Sequence, residues 1–180
     1  MKTILNVLKI VVVTLFVMAC SGSDDNSDSA DDNAVFGTIQ LSGNDTAVLG
    51  NSLTVANIDP NGLTTTGTSS AVVLLDENTT VENGELVPTN FMNAFVIVAA
   101  QFSADDNAAV EKTISMTIVK NGDEFRYVCS TPPTSAADDT NCGTGFSVDK
   151  VIKQIVFDDT TVVNVDSGEI LTMNGTINYN

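Results

Sequence analysis

Histidine and tryptophan are absent from the 180 residues, and seven basic residues stand against 23 acidic ones. Lack of histidine removes the usual general base near neutral pH, the Ser-His-Asp triad and every imidazole metal ligand. Lack of tryptophan leaves only phenylalanine, Tyr127 and Tyr179 to offer an aromatic face to a sugar ring. Scarce lysine and arginine, with no basic stripe, exclude nucleic acid as a partner, because a protein that neutralises phosphates gathers cations on one face. Long apolar segments are also missing, apart from one near the start.

That segment is Ile10 to Ala19 (IVVVTLFVMA), preceded by Lys2 and Lys9 and ending at Cys20. A spanning helix needs about 20 apolar residues, so the run suits the core of a cleaved signal peptide, residues 1–19, and not a membrane span. Val17-Met18-Ala19-Cys20 resembles a bacterial lipobox: an aliphatic residue, then a small residue, then cysteine, with Met18 the one untypical position. The resemblance implies diacylglycerol on the Cys20 sulfur and an acyl chain such as palmitate on its amine. The mature protein would then be a lipoprotein held at the bacterial outer membrane, on the cell surface or the periplasmic face. One acyl chain binds a bilayer only marginally at about 0.8 kcal/mol per methylene, whereas two or three anchor stably.

Cleavage would remove Lys2 and Lys9, leaving five basic residues against 23 acidic ones and a net charge of −18. Such a surface suits a salty medium or attracts cations, and anionic membranes should repel it. Residues 20–34 hold the lipidated cysteine and the stretch SGSDDNSDSADDNA, which has no branched aliphatic or aromatic residue to bury. This composition predicts a disordered acidic linker able to reach about 48 Å when extended.

With Cys20 carrying lipid, Cys129 and Cys142 remain as an even set. Outside the cytoplasm a disulfide is their natural use, closing a loop rich in proline, aspartate and asparagine and adding about 3 kcal/mol through loop-closure entropy. Zinc is disfavoured, since its sites draw on four Cys or His ligands.

Residues 35–180 read as one β-rich domain, because short runs of Val, Ile, Thr and Phe alternate with Asn, Gly, Asp and Pro. Strands are expected at Val35 to Leu41, Ser52 to Ala56, Ala71 to Leu75, Phe91 to Phe102, Lys112 to Lys120, Glu124 to Cys129, Phe146 to Val148, Gln154 to Phe157, Thr161 to Val165 and Ile170 to Tyr179. In the fifth of these, Ile114, Met116 and Ile118 share one face, a period of two. Asn121-Gly122 tolerates the positive φ angles of a type I′ turn and predicts a tight hairpin. Asp166-Ser167-Gly168 predicts a second, bulged connection. Asn93 to Ala100 is nearly all apolar and fits a central strand covered on both faces, or a short buried helix. The fold class is all-β, an antiparallel β-sandwich by preference, with a small β-barrel as the alternative.

Candidate chemistry is sparse. Ser147 and Lys150 have the S-x-x-K spacing of serine acyl enzymes, but in a strand-rich region residues three apart face opposite ways. Adjacent carboxylates occur at Asp76-Glu77, Asp105-Asp106, Asp123-Glu124, Asp138-Asp139 and Asp158-Asp159. A hydrolytic pair must instead approach across a cleft at about 5 to 9.5 Å. Asn57, Asp59 and Asn61, followed by Gly62, resemble the first half of an EF-hand loop and make a calcium candidate; Asn57 replaces the expected Asp and Thr68 the expected Glu. An ordinary Asp-Pro-Asn-Gly turn explains the same residues. No other cofactor is implied. Asn44, Asn78 and Asn174 begin N-x-S/T matches that mark surface loops. The functional expectation is a non-enzymatic binding module with a protein or glycan partner. An envelope hydrolase using an Asp/Glu pair and a calcium-dependent adhesion module are the alternatives.

Overall fold

The computed structural model describes residues 35–180; the signal segment, Cys20 and the acidic linker lie outside the described residues. The strands are β1 (Gly37–Gly43), β2 (Ser52–Val55), β3 (Asn57–Asp59), β4 (Ala71–Leu75), β5 (Thr79–Glu82), β6 (Glu85–Pro88), β7 (Asn93–Gln101), β8 (Lys112–Lys120), β9 (Asp123–Thr131), β10 (Ser147–Asp149), β11 (Gln154–Asn164) and β12 (Ile170–Asn178). A four-residue helix, α1 (Thr46–Leu49), follows β1. Every strand pairing is antiparallel, so the all-β antiparallel class holds.

Ten strands share one sheet in the order β2-β1-β12-β11-β9-β8-β7-β4-β3, with β10 added to β11. The two ends of that order are halves of one extended run, because only Ala56 separates β2 from β3. β2 pairs with β1 and β3 pairs with β4, while the Ala56 N–H donates to the Leu75 carbonyl at 3.0 Å. The sheet thereby curls into a nearly closed, barrel-like ring, the second of the two arrangements that periodicity left open.

Period-two alternation dictates what fills it. Ile39 and Leu41, Leu53 and Val55, Val72 and Leu74, Ile97 and Ala99, Ile114 and Met116, Tyr127 and Cys129, Ile155 and Phe157, and Leu171 and Met173 all belong to one buried cluster. Contributions from strands all round the ring to a single cluster are what a barrel requires. β4 is buried along its whole length. Its outward Val73 and Leu75 join Leu63 in a second cluster with Val81 and Leu86 of the β5–β6 hairpin and with Val96 and Val98 of β7. The apolar run Asn93 to Ala100 is accordingly strand, not helix, buried inward at Phe95, Ile97 and Ala99 and half-buried outward at Ala94, Val96 and Val98.

Turn chemistry holds at Asn121 and Gly122, whose φ angles of 55° and 90° join Lys120 to Asp123 as a type I′ turn requires. The β11–β12 connection closes with Asn164: its side-chain oxygen accepts the Asp166 and Ser167 N–H groups, and its carbonyl accepts that of Gly168. Cys129 and Cys142 are disulfide-bonded, both fully buried, and tie β9 to the loop that returns beneath it.

Candidate functional site

Beside β9 and β11, which pair only at Val163–Val128 and Asn164–Tyr127, the ring is interrupted between β2 and β7. β4 stops at Leu75 and pairs with β7 only from Val96 onward, yet β7 begins at Asn93, and β2 extends back to Ser52 on the opposite side. Among the described residues no strand fills the lane of β4 beyond Leu75, where β2 and the start of β7 lie two strand spacings apart, about 9.6 Å. A cleft of about 510 Å³ occupies this lane. Leu49, Leu53, Phe95 and Ile118 of the core form its floor, while Glu77, Asn78, Asn93 and Lys120 stand on its rim. Exposed apolar residues border it: Val35 lines the cleft at 60% exposure, and Phe91 and Met92, at 74% and 55%, immediately precede Asn93.

Backbone groups differ between the two walls. The Leu41 N–H donates to the Asn51 carbonyl at 2.8 Å. Antiparallel alternation therefore turns the polar groups of 51, 53 and 55 toward β1 and those of Ser52, Thr54 and Ala56 away from it. Ala56 uses its N–H on Leu75, whereas Ser52 and Thr54 lie higher, where β4 no longer runs. On the other wall the Phe95 N–H is capped by Asp76 Oδ2 at 2.5 Å and the Asn93 N–H by Asn90 Oδ1 at 3.1 Å. Asp76 is 8% exposed; its Oδ1 accepts the Asn78 N–H at 2.6 Å, and its carbonyl accepts the Asn57 side-chain amide at 2.9 Å. A carboxylate stands where the next rung of β4 would be. Glu77 beside it is exposed and does not share these bonds.

The remaining carboxylate pairs serve local structure. Asp106 forms a capping box with Ser103, whose backbone and hydroxyl donors hold its carboxyl below the ordinary carboxylate range. Glu124 lies 3.7 Å from Arg126, which also meets Asp166 at 3.0 Å. Asp138 and Asp139 occupy a turn at positive φ, and Asp158-Asp159 form a bulge in β11, with Asp159 at φ 47° and its N–H on Asn174 Oδ1. Lys150 donates to the Ser69 and Ala71 carbonyls, so its ammonium is committed away from Ser147. Desolvation lowers its pKa against an opposing pull from Asp59. Of the calcium candidates, Asn57 lies in β3 with its amide on Asp76, and Asp59 Oδ1 accepts the Asn61 N–H at 3.0 Å, closing a turn. Among the described residues no three of His, Cys, Asp and Glu gather as a metal site.

One polar cluster has no precursor in the sequence pattern. Tyr127, fully buried, donates its hydroxyl to Asp45 Oδ2 at 2.5 Å, and the same oxygen accepts the buried Asn164 amide at 3.3 Å. Burial, then the Asp45 contact, pushes the Tyr127 pKa up. The cluster pins the turn that leads into α1 against the barrel, and so places Leu49 in the cleft floor. Neither it nor the vacant lane has a sequence signature, since both arise where distant strands meet. Comparison with protein-family models, curated proteins and solved structures finds no match to this chain.

Proposed function

We propose that the protein is a lipoprotein of the bacterial envelope, anchored through Cys20, whose β-rich domain is a non-enzymatic binding module that takes its ligand in the cleft between β2 and β7. The observation that carries this reading is the cleft's composition: an apolar floor, open strand edge on one wall, and a carboxylate on the other that is saturated with structural hydrogen bonds. Concave sites with apolar floors and a few polar groups at the rim are the usual places for ligands. A hydrolase working through two carboxylates would need Asp76 free to trade protons, and here three donors, the Phe95 and Asn78 N–H groups and the Thr79 hydroxyl, hold it.

The reading is tested by assaying the purified chain on glycan, ester and peptide substrates. No turnover is expected; turnover abolished by Asp76→Asn or Glu77→Gln would overturn it. Anchoring is tested by feeding producing cells an alkyne-bearing fatty acid. Label should enter the wild-type chain and be absent from Cys20→Ala.

A further inference from the structure

Resting on this binding reading, we infer that the ligand is an extended peptide segment, taken up by strand addition to β2 so that it runs in the vacant lane of β4. The inference follows from three features of one place. First, the lane is bounded by a strand on each side and is one strand wide, since β3, the continuation of β2, pairs with β4 and β4 pairs with β7. Second, Ser52 and Thr54 turn their backbone N–H and C=O groups into it, whereas the β7 wall has its N–H groups already capped by Asp76 and Asn90. A ligand with donors and acceptors spaced along an extended backbone satisfies such an edge; a sugar or an acyl chain does not offer that repeat. Third, Leu53 and Ile118 lie under the lane, so every second ligand side chain would point onto apolar surface and the alternate ones to solvent.

Charge selects further. Glu77 and Lys120 balance each other on the rim, but the chain as a whole carries 23 acidic residues against seven basic ones, so its overall field favours a segment with basic residues flanking its apolar positions over an acidic one. Asp76 has a defined part in this arrangement. By satisfying the Phe95 N–H it takes a donor from the β7 wall, which favours β2 as the edge that pairs and so sets the ligand's register.

The test is hydrogen–deuterium exchange on the full chain in detergent micelles, with the peptide acetyl-Lys-Val-Thr-Val-Thr-Val-Lys-amide titrated into the millimolar range. A companion peptide carries N-methyl groups on alternate amides, which keeps the side chains and removes the pairing donors. Expected is a slowing of exchange over residues 51–56 by about tenfold when the site is nine-tenths filled, with no slowing by the methylated peptide. Thr54→Pro, tolerable at an open edge, should abolish the effect while leaving the melting temperature within a few degrees of wild type. Equal slowing by both peptides would overturn strand addition and leave a plain apolar binding cleft. No slowing by either peptide would overturn it as well. Failure of the underlying binding reading shows separately, as catalytic turnover in the substrate assays.

Discussion

Replacing Tyr127 with phenylalanine removes one oxygen from a fully buried site and leaves Asp45 Oδ2 with the more distant Asn164 amide as its side-chain donor. Hydrogen bonds to a charged group contribute about 1.5 to 3 kcal/mol, so the loss should be about 2 kcal/mol, equivalent to a fall of roughly 6 °C in melting temperature for a domain of this size. Urea unfolding of wild type, Tyr127→Phe, Asp45→Ala and the double variant gives the coupling directly. In the Asp45→Ala background the tyrosine hydroxyl has lost this acceptor, and its removal should cost under about 0.5 kcal/mol or even stabilise. The pH dependence has a definite sign. Because the folded pKa is raised above the ordinary value of 10.0, the contribution is complete below about pH 10 and is lost as pH rises through the folded value. Wild type should therefore lose stability above pH 10 more steeply than Tyr127→Phe, by up to about 1.4 kcal/mol per pH unit. A cost for Tyr127→Phe below about 0.5 kcal/mol, or one that is the same with and without Asp45, would refute the reasoning.

Four further outcomes are expected. Cys129→Ala with Cys142→Ala should lower stability by about 3 kcal/mol in urea unfolding through loop entropy alone, and by more if the two buried sites repack poorly. Gly175→Ala should cost more than about 2 kcal/mol, because a Cβ there would sit 2.6 Å from the Thr38 carbonyl oxygen across the β1–β12 pair. Gly168→Ala, at φ 75° with open space around it, should cost only about 1 kcal/mol, and thermal melts of the two variants separate steric from conformational strain. Calcium should leave the melting temperature where chelator leaves it, since among the described residues Asp59 is joined by no two further carboxylates that could complete a site; a rise of several degrees would restore the calcium reading.

Strand content was legible wherever local chemistry decided the outcome. Alternation in Lys112 to Lys120, the Asn121-Gly122 turn and the Cys129–Cys142 pair each appear as expected. Misreadings have local physical causes. Gln154 to Phe157 and Thr161 to Val165 look like two strands because Asp158-Asp159 interrupts the apolar pattern, but that pair is a bulge within a single β11. Asn83-Gly84, with φ angles of 54° and 80°, makes a second type I′ turn between β5 and β6; its signal equals that of Asn121-Gly122 but sits among acidic residues beside Pro88. β3 was hidden because Asn57 to Gly62 reads as an oxygen-rich loop. The cleft lies beyond any local pattern, since it exists only because β4 ends at Leu75 while the strands two lanes apart continue.

The central claim is that the lane beside β2 is occupied when the protein works, and site-specific photocrosslinking in intact producing cells tests it most directly. A benzophenone side chain at Ser52, on the lane, is compared with one at Thr176, exposed on β12, two strands from β2 on the side away from the lane. The account predicts light-dependent crosslinks to a polypeptide from Ser52, removed by Thr54→Pro and absent from Thr176. Crosslinks of equal strength from both positions, or none from Ser52, would contradict it.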